Sequence, residues 1–136
     1  MSLSLVPARV FSSYAAVTPE YLADRGVRLL LSDLDFTLAP KSCPAPDEAV
    51  RAWIASMQRA GIEVMILSNN RSPVRVERFC KDLGIRYIGW AKKPWPPGFR
   101  RARALTGVPA GETAMLGDKL LTDMLGANLN GCLALM

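Results

Sequence analysis

The chain contains no histidine. That absence excludes Ser-His-Asp catalysis, histidine phosphotransfer and histidine metal sites together. An enzyme built from this sequence must move protons with carboxylates, Lys, Tyr or Cys, and a hard, oxygen-seeking cation such as Mg²⁺ becomes its natural metal. Cysteine is sparse: Cys43, Cys80 and Cys132 are widely spaced and form no CxxC. Neither a zinc site nor a disulfide framework is indicated, and a reducing, cytoplasmic compartment is the default. No apolar run approaches the length of a membrane span. Met1 to Val17 holds Arg9 and several Ser but no acid, a faint transit-peptide character; it lacks the apolar block of a secretory signal and reads as an ordinary first helix. No repeat or low-complexity stretch interrupts the pattern.

What is present fits one domain. A length of 136 residues, half of them hydrophobic, suffices for a single core, and a net charge of +5 favours anionic partners: phosphate esters, nucleic acid or an acidic membrane surface. The chain is organised around Val27 to Leu38. Its first half is a short apolar run after Gly26, the pattern of a strand buried on both faces. It then delivers Asp33 and Asp35 where such a strand ends, with Thr37 two residues on. Two acids beside a buried strand end are costly unless a cation or protons compensate them.

In chain order, Leu3, Val6, Val10, Tyr14 and Val17 share a helical face that covers the sheet or rests on a membrane, within an N-terminal helical segment over 1–26. Thr18-Pro19-Glu20 is an N-cap, a first-turn proline and an acidic first turn, and Gly26 ends that short helix. Ala39 to Pro46 is a proline-rich loop. Asp47 to Ala60 is helical, with Val50, Trp53, Ile54 and Met57 facing inward. Ile62 to Leu67 is a second buried strand running into Ser68-Asn69-Asn70. Ser72-Pro73 opens a helix with Val76, Phe79 and Leu83 inward, and Ile85 to Trp90 is a third strand. A loop over Ala91 to Pro97 leads to a basic helix over Phe99 to Thr106. Thr113 to Leu116 is a fourth strand before Gly117-Asp118, Thr122 caps a helix from Asp123, and Cys132 to Met136 is a fifth strand. Strands alternating with helices at this spacing predict right-handed βαβ units in one doubly wound parallel sheet of about five strands with flanking helices.

Four strand ends then carry polar groups. They are Asp33, Asp35 and Thr37; Ser68 and Asn69; Lys92 and Lys93; and Asp118, with Asp123 at the next helix start. In a parallel sheet these ends share one rim, where ligands bind. Carboxylates, a hydroxyl and a lysine there make a metal-assisted site for a phosphoryl group. Each signal has a plainer counterpart: loop acids without metal, a polar cap at Ser68-Asn69, a solvated lysine pair, a turn at Gly117-Asp118, a first-turn dipole residue at Asp123. Arg71, Arg75 and Arg78 likewise read as a solvated stripe.

Asp33-Leu34-Asp35-Phe36-Thr37, Ser68 after a strand, Lys93-Pro94-x-Pro96-x-x-Phe99 and Gly117-Asp118-x-x-x-Thr122-Asp123 together resemble the haloacid-dehalogenase (HAD) superfamily of phosphatases. Within it, the chain is similar to the subclass IIIA, YqeG-type branch over nearly its whole length. Two departures stand out: Phe36 occupies a position where the branch usually has Asn, and the branch usually continues past the last strand into a polar, basic tail. The resemblance implies that Asp33 is the nucleophile, forming an aspartyl phosphate, and that Asp35 is the acid/base. It implies Mg²⁺ on the Asp33 carboxylate, the Asp35 carbonyl and Asp118. Thr37, Ser68, Asn69 and Lys93 bind phosphate, and Asp123 orients Lys93 or a metal-bound water.

A receiver domain shares the acid-rich strand end but not the spacing of Thr37 and Gly117-Asp118, and a DxD glycosyltransferase needs a nucleotide-binding region for which little chain remains. A non-catalytic binding module on the same fold predicts a broken motif, and none is broken. The intervals Leu38 to Leu67 and Asn70 to Ala91 hold no cap domain, so the site is expected to be open. An open, basic site suits a phosphate on something large, such as phosphatidylglycerophosphate at an anionic membrane, with no specific nucleic acid. The alternative is a small sugar or nucleotide phosphate, with an oligomeric neighbour as the cap.

Overall fold

The computed structural model describes residues 6–34, 46–69, 73–89, 91, 93–117 and 120–136. The sheet contains β1 (Leu29–Ser32), β2 (Glu63–Leu67), β3 (Tyr87–Ile88), β4 (Thr113–Leu116) and β5 (Leu133–Leu135). They lie in the order β3-β2-β1-β4-β5, and every pairing is parallel. The chain therefore winds outward from β1 on one side, then crosses back to start again at β4. The reversal falls between β1 and β4, where an open α/β sheet leaves a crevice at its strand ends.

Both faces of the sheet are covered, which explains its continuous apolar strands. Leu30, Val64, Ile66, Ala114, Leu116 and Leu135 point to one face and pack against α1 (Pro19–Asp24), α2 (Glu48–Arg59) and α3 (Pro73–Leu83). Leu29, Leu31, Met65, Leu67, Met115 and Ala134 point to the other, against α4 (Pro96–Thr106) and α5 (Leu125–Leu129). Alternation along each strand thus feeds two cores from one sheet. Capping follows the residue chemistry. Thr18 accepts from the Tyr21 amide at 3.1 Å and Asp47 from the Val50 amide at 2.8 Å, satisfying helix donors that lack an intrahelical partner. Trp53 buries its indole and donates Nε1 to the Val17 carbonyl at 2.8 Å, tying α2 to the N-terminal segment.

That segment departs from the expected helix. Ala8 donates its amide to Ala134, Met136 to Arg9 and Phe11 to Met136, and Arg9 forms a parallel bridge with Leu135. Residues 8–11 thus run as an extended strip along β5, and the first helical turn is a 3-10 turn at Tyr14–Ala16. The spacing of Val6, Val10, Tyr14 and Val17 looked helical, but β5 has an outer row of backbone groups that needs partners, and the strip satisfies them. Val17 is buried and Tyr14 stacks edge-on against Trp53, whereas Val6 and Val10 stay exposed.

Three smaller differences concern boundaries. The strand expected over Ile85 to Trp90 pairs only at Tyr87–Ile88, with Trp90 outside the described residues. The basic helix starts at Pro96 rather than Phe99, because prolines fit a first turn whose amides have no intrahelical partner. Leu120–Met124 is a π-helical segment that runs into α5, so Thr122 lies inside a helical turn instead of capping one. Helix ends at Gly107 and elsewhere follow the sequence: Gly107 takes the left-handed conformation (φ 73°) and donates to the Arg103 carbonyl, which glycine does without steric cost.

Cys80 on α3 is fully buried, and burial pushes its thiol up to about 12 from an ordinary 9.0. A raised value means that the fold favours the thiol over the thiolate. This contribution to stability is complete below pH 9 and is lost as pH climbs through about 12. Cys80→Ala is therefore expected to flatten the alkaline fall in unfolding free energy across that window, measured by denaturant titration at successive pH values. An unchanged alkaline slope would contradict this placement of the thiol.

Candidate active site

β1 carries Asp33 out of the sheet at the reversal point. The Asp33 amide still donates to the Leu116 carbonyl at 3.0 Å, so the β1–β4 ladder extends one residue past the strand and holds the backbone of Asp33 rigid. Ser32 donates its hydroxyl to the Asp33 carbonyl at 2.9 Å. Asp33 is 6% exposed, its carboxylate held at the rim of the apolar sheet.

The neighbouring ends bring the remaining groups inward. Ser68 is buried just beyond β2, its amide donating to Ile88 and its carbonyl accepting from Ala91. Lys93, 5% exposed, reaches back from the loop between β3 and α4. Its Nζ lies 2.6 Å from Asp123 Oδ1 and 3.4 Å from Asp33 Oδ1. Asp123, fully buried, comes from the π-helical segment after β4. Residues 33, 93 and 123, dispersed through the sequence, thus form one buried ionic group. Desolvating an ammonium costs several kcal/mol, on the order of what close carboxylates return, so the arrangement demands good geometry.

That geometry is enforced by packing. A Cβ on Gly117 would overlap the Asp123 carboxylate, so the chain leaving β4 passes directly against it. A Cβ on Gly98 would come within 2.7 Å of the Ala91 carbonyl, and one on Gly126 within 3.2 Å of the Pro94 Cα. The loop that holds the cis Lys93–Pro94 peptide thus packs on α4 at Ala91 and on α5 at Pro94. Asn130 donates Nδ2 to the Pro94 carbonyl at 3.3 Å and to Gly126 at 2.8 Å.

Of the expected site residues, Asp33, Ser68, Asn69, Lys93 and Asp123 gather at this rim. Asp35, Thr37 and Asp118 lie outside the described residues, as do Arg71, Lys92 and Cys43. Asp123, expected to orient Lys93 or a metal-bound water, has its Oδ1 2.6 Å from the Lys93 Nζ. Asn69, expected to bind phosphate, turns both ends of its carboxamide to the Lys93 backbone. Gly98, Gly126 and Asn130 were not foreseen as supports; their only sequence signal is their nearness to the proline-rich loop and a helix end, which does not reveal a contact across the fold.

The expectations meet known proteins at this point. A family model of haloacid dehalogenase-like hydrolases matches residues 12–131, and the chain belongs to that family. Within it, the chain is 39% identical over 115 residues to the probable phosphatase YqeG of Bacillus subtilis, a match over 85% of this chain and 66% of that one. The fold is shared with the cobalt-bound deoxy-D-mannose-octulosonate 8-phosphate phosphatase (YrbI) of Haemophilus influenzae, at TM-score 0.58 and 23% identity over 69% of this chain and 60% of that one. It is shared too with a Legionella pneumophila protein assigned to HAD subfamily III A, at TM-score 0.53 and 21% identity over 71% of this chain and 58% of that one. The chain thus spans 66% of the length of YqeG and 60% of that of YrbI.

The contact at Gly117 generates a test. Gly117→Ala is expected to push Asp123 off Lys93 and to destabilise the fold by roughly 1–3 kcal/mol, the usual cost of an extra carbon in a packed interior. Chemical denaturation measures this directly, and a variant as stable as the parent would contradict the close approach.

Proposed function

We propose that the chain is a phosphatase, hydrolysing a phosphate monoester through an aspartyl-phosphate intermediate on Asp33. The observation that carries this reading is the buried Asp33 carboxylate at the sheet's reversal point with the Lys93 ammonium 3.4 Å away. An acid so placed meets an incoming phosphate at a fixed position, and a cation waits for the charge on its oxygens. The YqeG relative, a probable phosphatase, supports the same class of reaction.

The donor chemistry fits a divalent cation. Asp33, Asp123 and Lys93 sum to one net negative charge, and the rim presents oxygen rather than imidazole or thiolate, which favours Mg²⁺. Among the described residues no three His, Cys, Asp or Glu side chains cluster as a metal site. The proposed ligands are the Asp33 carboxylate, the Asp35 carbonyl and Asp118. When bound, the metal would supply charge neutralisation for the carboxylate–phosphate encounter.

An Asp33 oxygen attacks phosphorus, the bond to the leaving alcohol breaks, and Asp35 gives that oxygen its proton. Asp35 then takes a proton from water, whose oxygen attacks the aspartyl phosphate; inorganic phosphate leaves and Asp33 is restored. Thr37, Ser68 and Lys93 hold the non-bridging oxygens. Asp33→Asn is expected to abolish Mg²⁺-dependent hydrolysis of p-nitrophenyl phosphate while thermal melting shows the fold intact. Parent-level turnover in a contaminant-free variant would remove the assignment.

The substrate class follows from openness and charge. Among the described residues no cap domain is present: α2 separates β1 from β2, and α3 separates β2 from β3. α3 and α4 expose Arg78, Arg100 and Arg101. We favour a phosphate presented on a large or membrane-borne molecule, such as phosphatidylglycerophosphate, met by a peripheral, cytoplasmic enzyme. No helix of the described residues is long and apolar enough to cross a membrane, so contact would be at the surface. Hydrolysis of the headgroup in anionic vesicles is expected to exceed that of a soluble short-chain ester by roughly tenfold and to weaken as salt rises. Micromolar KM for a small soluble ester, indifferent to salt, would point instead to a small metabolite and an oligomeric cap.

A further inference from the structure

The loops that leave β2 and β3 stay zipped together beyond the sheet. Ser68 donates its amide to Ile88 at 2.9 Å, and Ala91 donates to the Ser68 carbonyl at 2.8 Å. One step further out a side chain continues the ladder. Asn69 Oδ1 accepts from the Lys93 amide at 2.7 Å, and Asn69 Nδ2 donates to the Lys93 carbonyl at 3.0 Å. A carboxamide is the one uncharged side-chain group of this length that supplies an acceptor and a donor in the parallel arrangement of a peptide. It therefore acts here as a missing strand residue would.

We propose that Asn69 is a positioning residue that acts through Lys93, fixing the lysine peptide so that its ammonium stands between Asp33 and Asp123, and that Asn69 does not hold phosphate with its side chain. The inference rests on the phosphatase reading for its consequence, though not for its geometry. Lys93 reaches the site along four methylenes, each a rotatable joint. A buried ammonium 2.6 Å from one carboxylate and 3.4 Å from another needs its root fixed as well as its tip. Asp123 fixes the tip. Asn69 fixes the root from the β2 side, and Asn130, through the Pro94 carbonyl, braces the following residue from the α5 side. Asn69 has a second effect: it ties the Ser68 loop to the Lys93 loop, so the hydroxyl and the ammonium proposed to share one phosphate cannot drift apart.

The roles separate in a double-mutant cycle. Asn69→Ala, Lys93→Ala and the double variant are assayed on p-nitrophenyl phosphate, with melting temperature as the fold control. Asn69→Ala is expected to lower kcat roughly 10–100-fold, the usual range for a misplaced catalytic group, with KM within about threefold. In the Lys93→Ala background the same change should cost less than about twofold, since residues acting as one unit are non-additive. A raised KM, or an equal loss in both backgrounds, would make Asn69 a direct phosphate ligand and overturn the proposal. Asn69→Asp keeps the acceptor for the Lys93 amide but sets a carboxylate against the Lys93 carbonyl, and should not restore kcat.

A second measurement does not depend on turnover or on the lysine variants folding. Lysine acylation read by mass spectrometry should find Lys93 protected relative to exposed Lys81 in the parent chain, with that protection falling on the order of tenfold in Asn69→Ala. Unchanged protection would overturn the clamp even if activity fell. A parent chain with no phosphatase activity would remove the functional reading while the labelling result still decided the clamp.

Discussion

Everything at the rim depends on a lysine ammonium buried between two carboxylates. Lys93 is carried from the far side of the sheet to Asp33, the residue that β1 delivers, and Asp123 meets it from a third element. Burying these charges is costly, so the surrounding structure must hold them close. Glycines without a Cβ where chains cross, an asparagine pairing with a peptide, and a proline-rich loop clamped by two helices all serve that one requirement. Removing Lys93 would leave Asp33 and Asp123 as uncompensated like charges, which ties elements distant in sequence into one site.

The sheet makes this possible by supplying rigidity. β1 and β4 are buried on both faces and stay paired to the base of Asp33, so the carboxylate is fixed relative to Gly117 across the crevice. The outer strands are shorter and rely on other devices. β3 is two residues long and is continued by the zipped loops, while β5 is backed by the extended strip of residues 8–11. Pairing is most extensive around β1 and is supplemented by other devices toward both edges.

Phosphoryl transfer suits such a frame. The reaction needs little from the protein beyond a placed nucleophile, a proton carrier and compensation for moving negative charge. In a chain without histidine, the proposed reaction would rest on carboxylates and one lysine, with a hard cation to balance their charge. The chain belongs to the haloacid dehalogenase-like hydrolases, and the proposed phosphoryl transfer is one hydrolysis that such a frame can serve. α3 and α4 expose Arg78, Arg100 and Arg101, charge to which a large anionic substrate would be drawn.

The sequence by itself determined the parallel α/β sheet and where its strands end, because two-sided burial requires continuous apolar runs and helices require their periodic faces and caps. Asp33, Ser68, Lys93 and Asp123 were legible for the same reason: polar residues directly after buried strands must share one rim. Only the tertiary structure decided the rest. Residues 8–11 follow a helical spacing yet run extended, because a strand edge needed partners that local propensity does not register. Thr122 looks like a cap and lies inside a π-helical turn, since the placement of Asp123 against Gly117 outweighs a local signal. Asn69 reads as a phosphate ligand from its position, but its carboxamide meets a backbone 24 residues away. Sequence patterns report what each residue prefers along its own element; which neighbour it meets across the fold is set by how the elements pack.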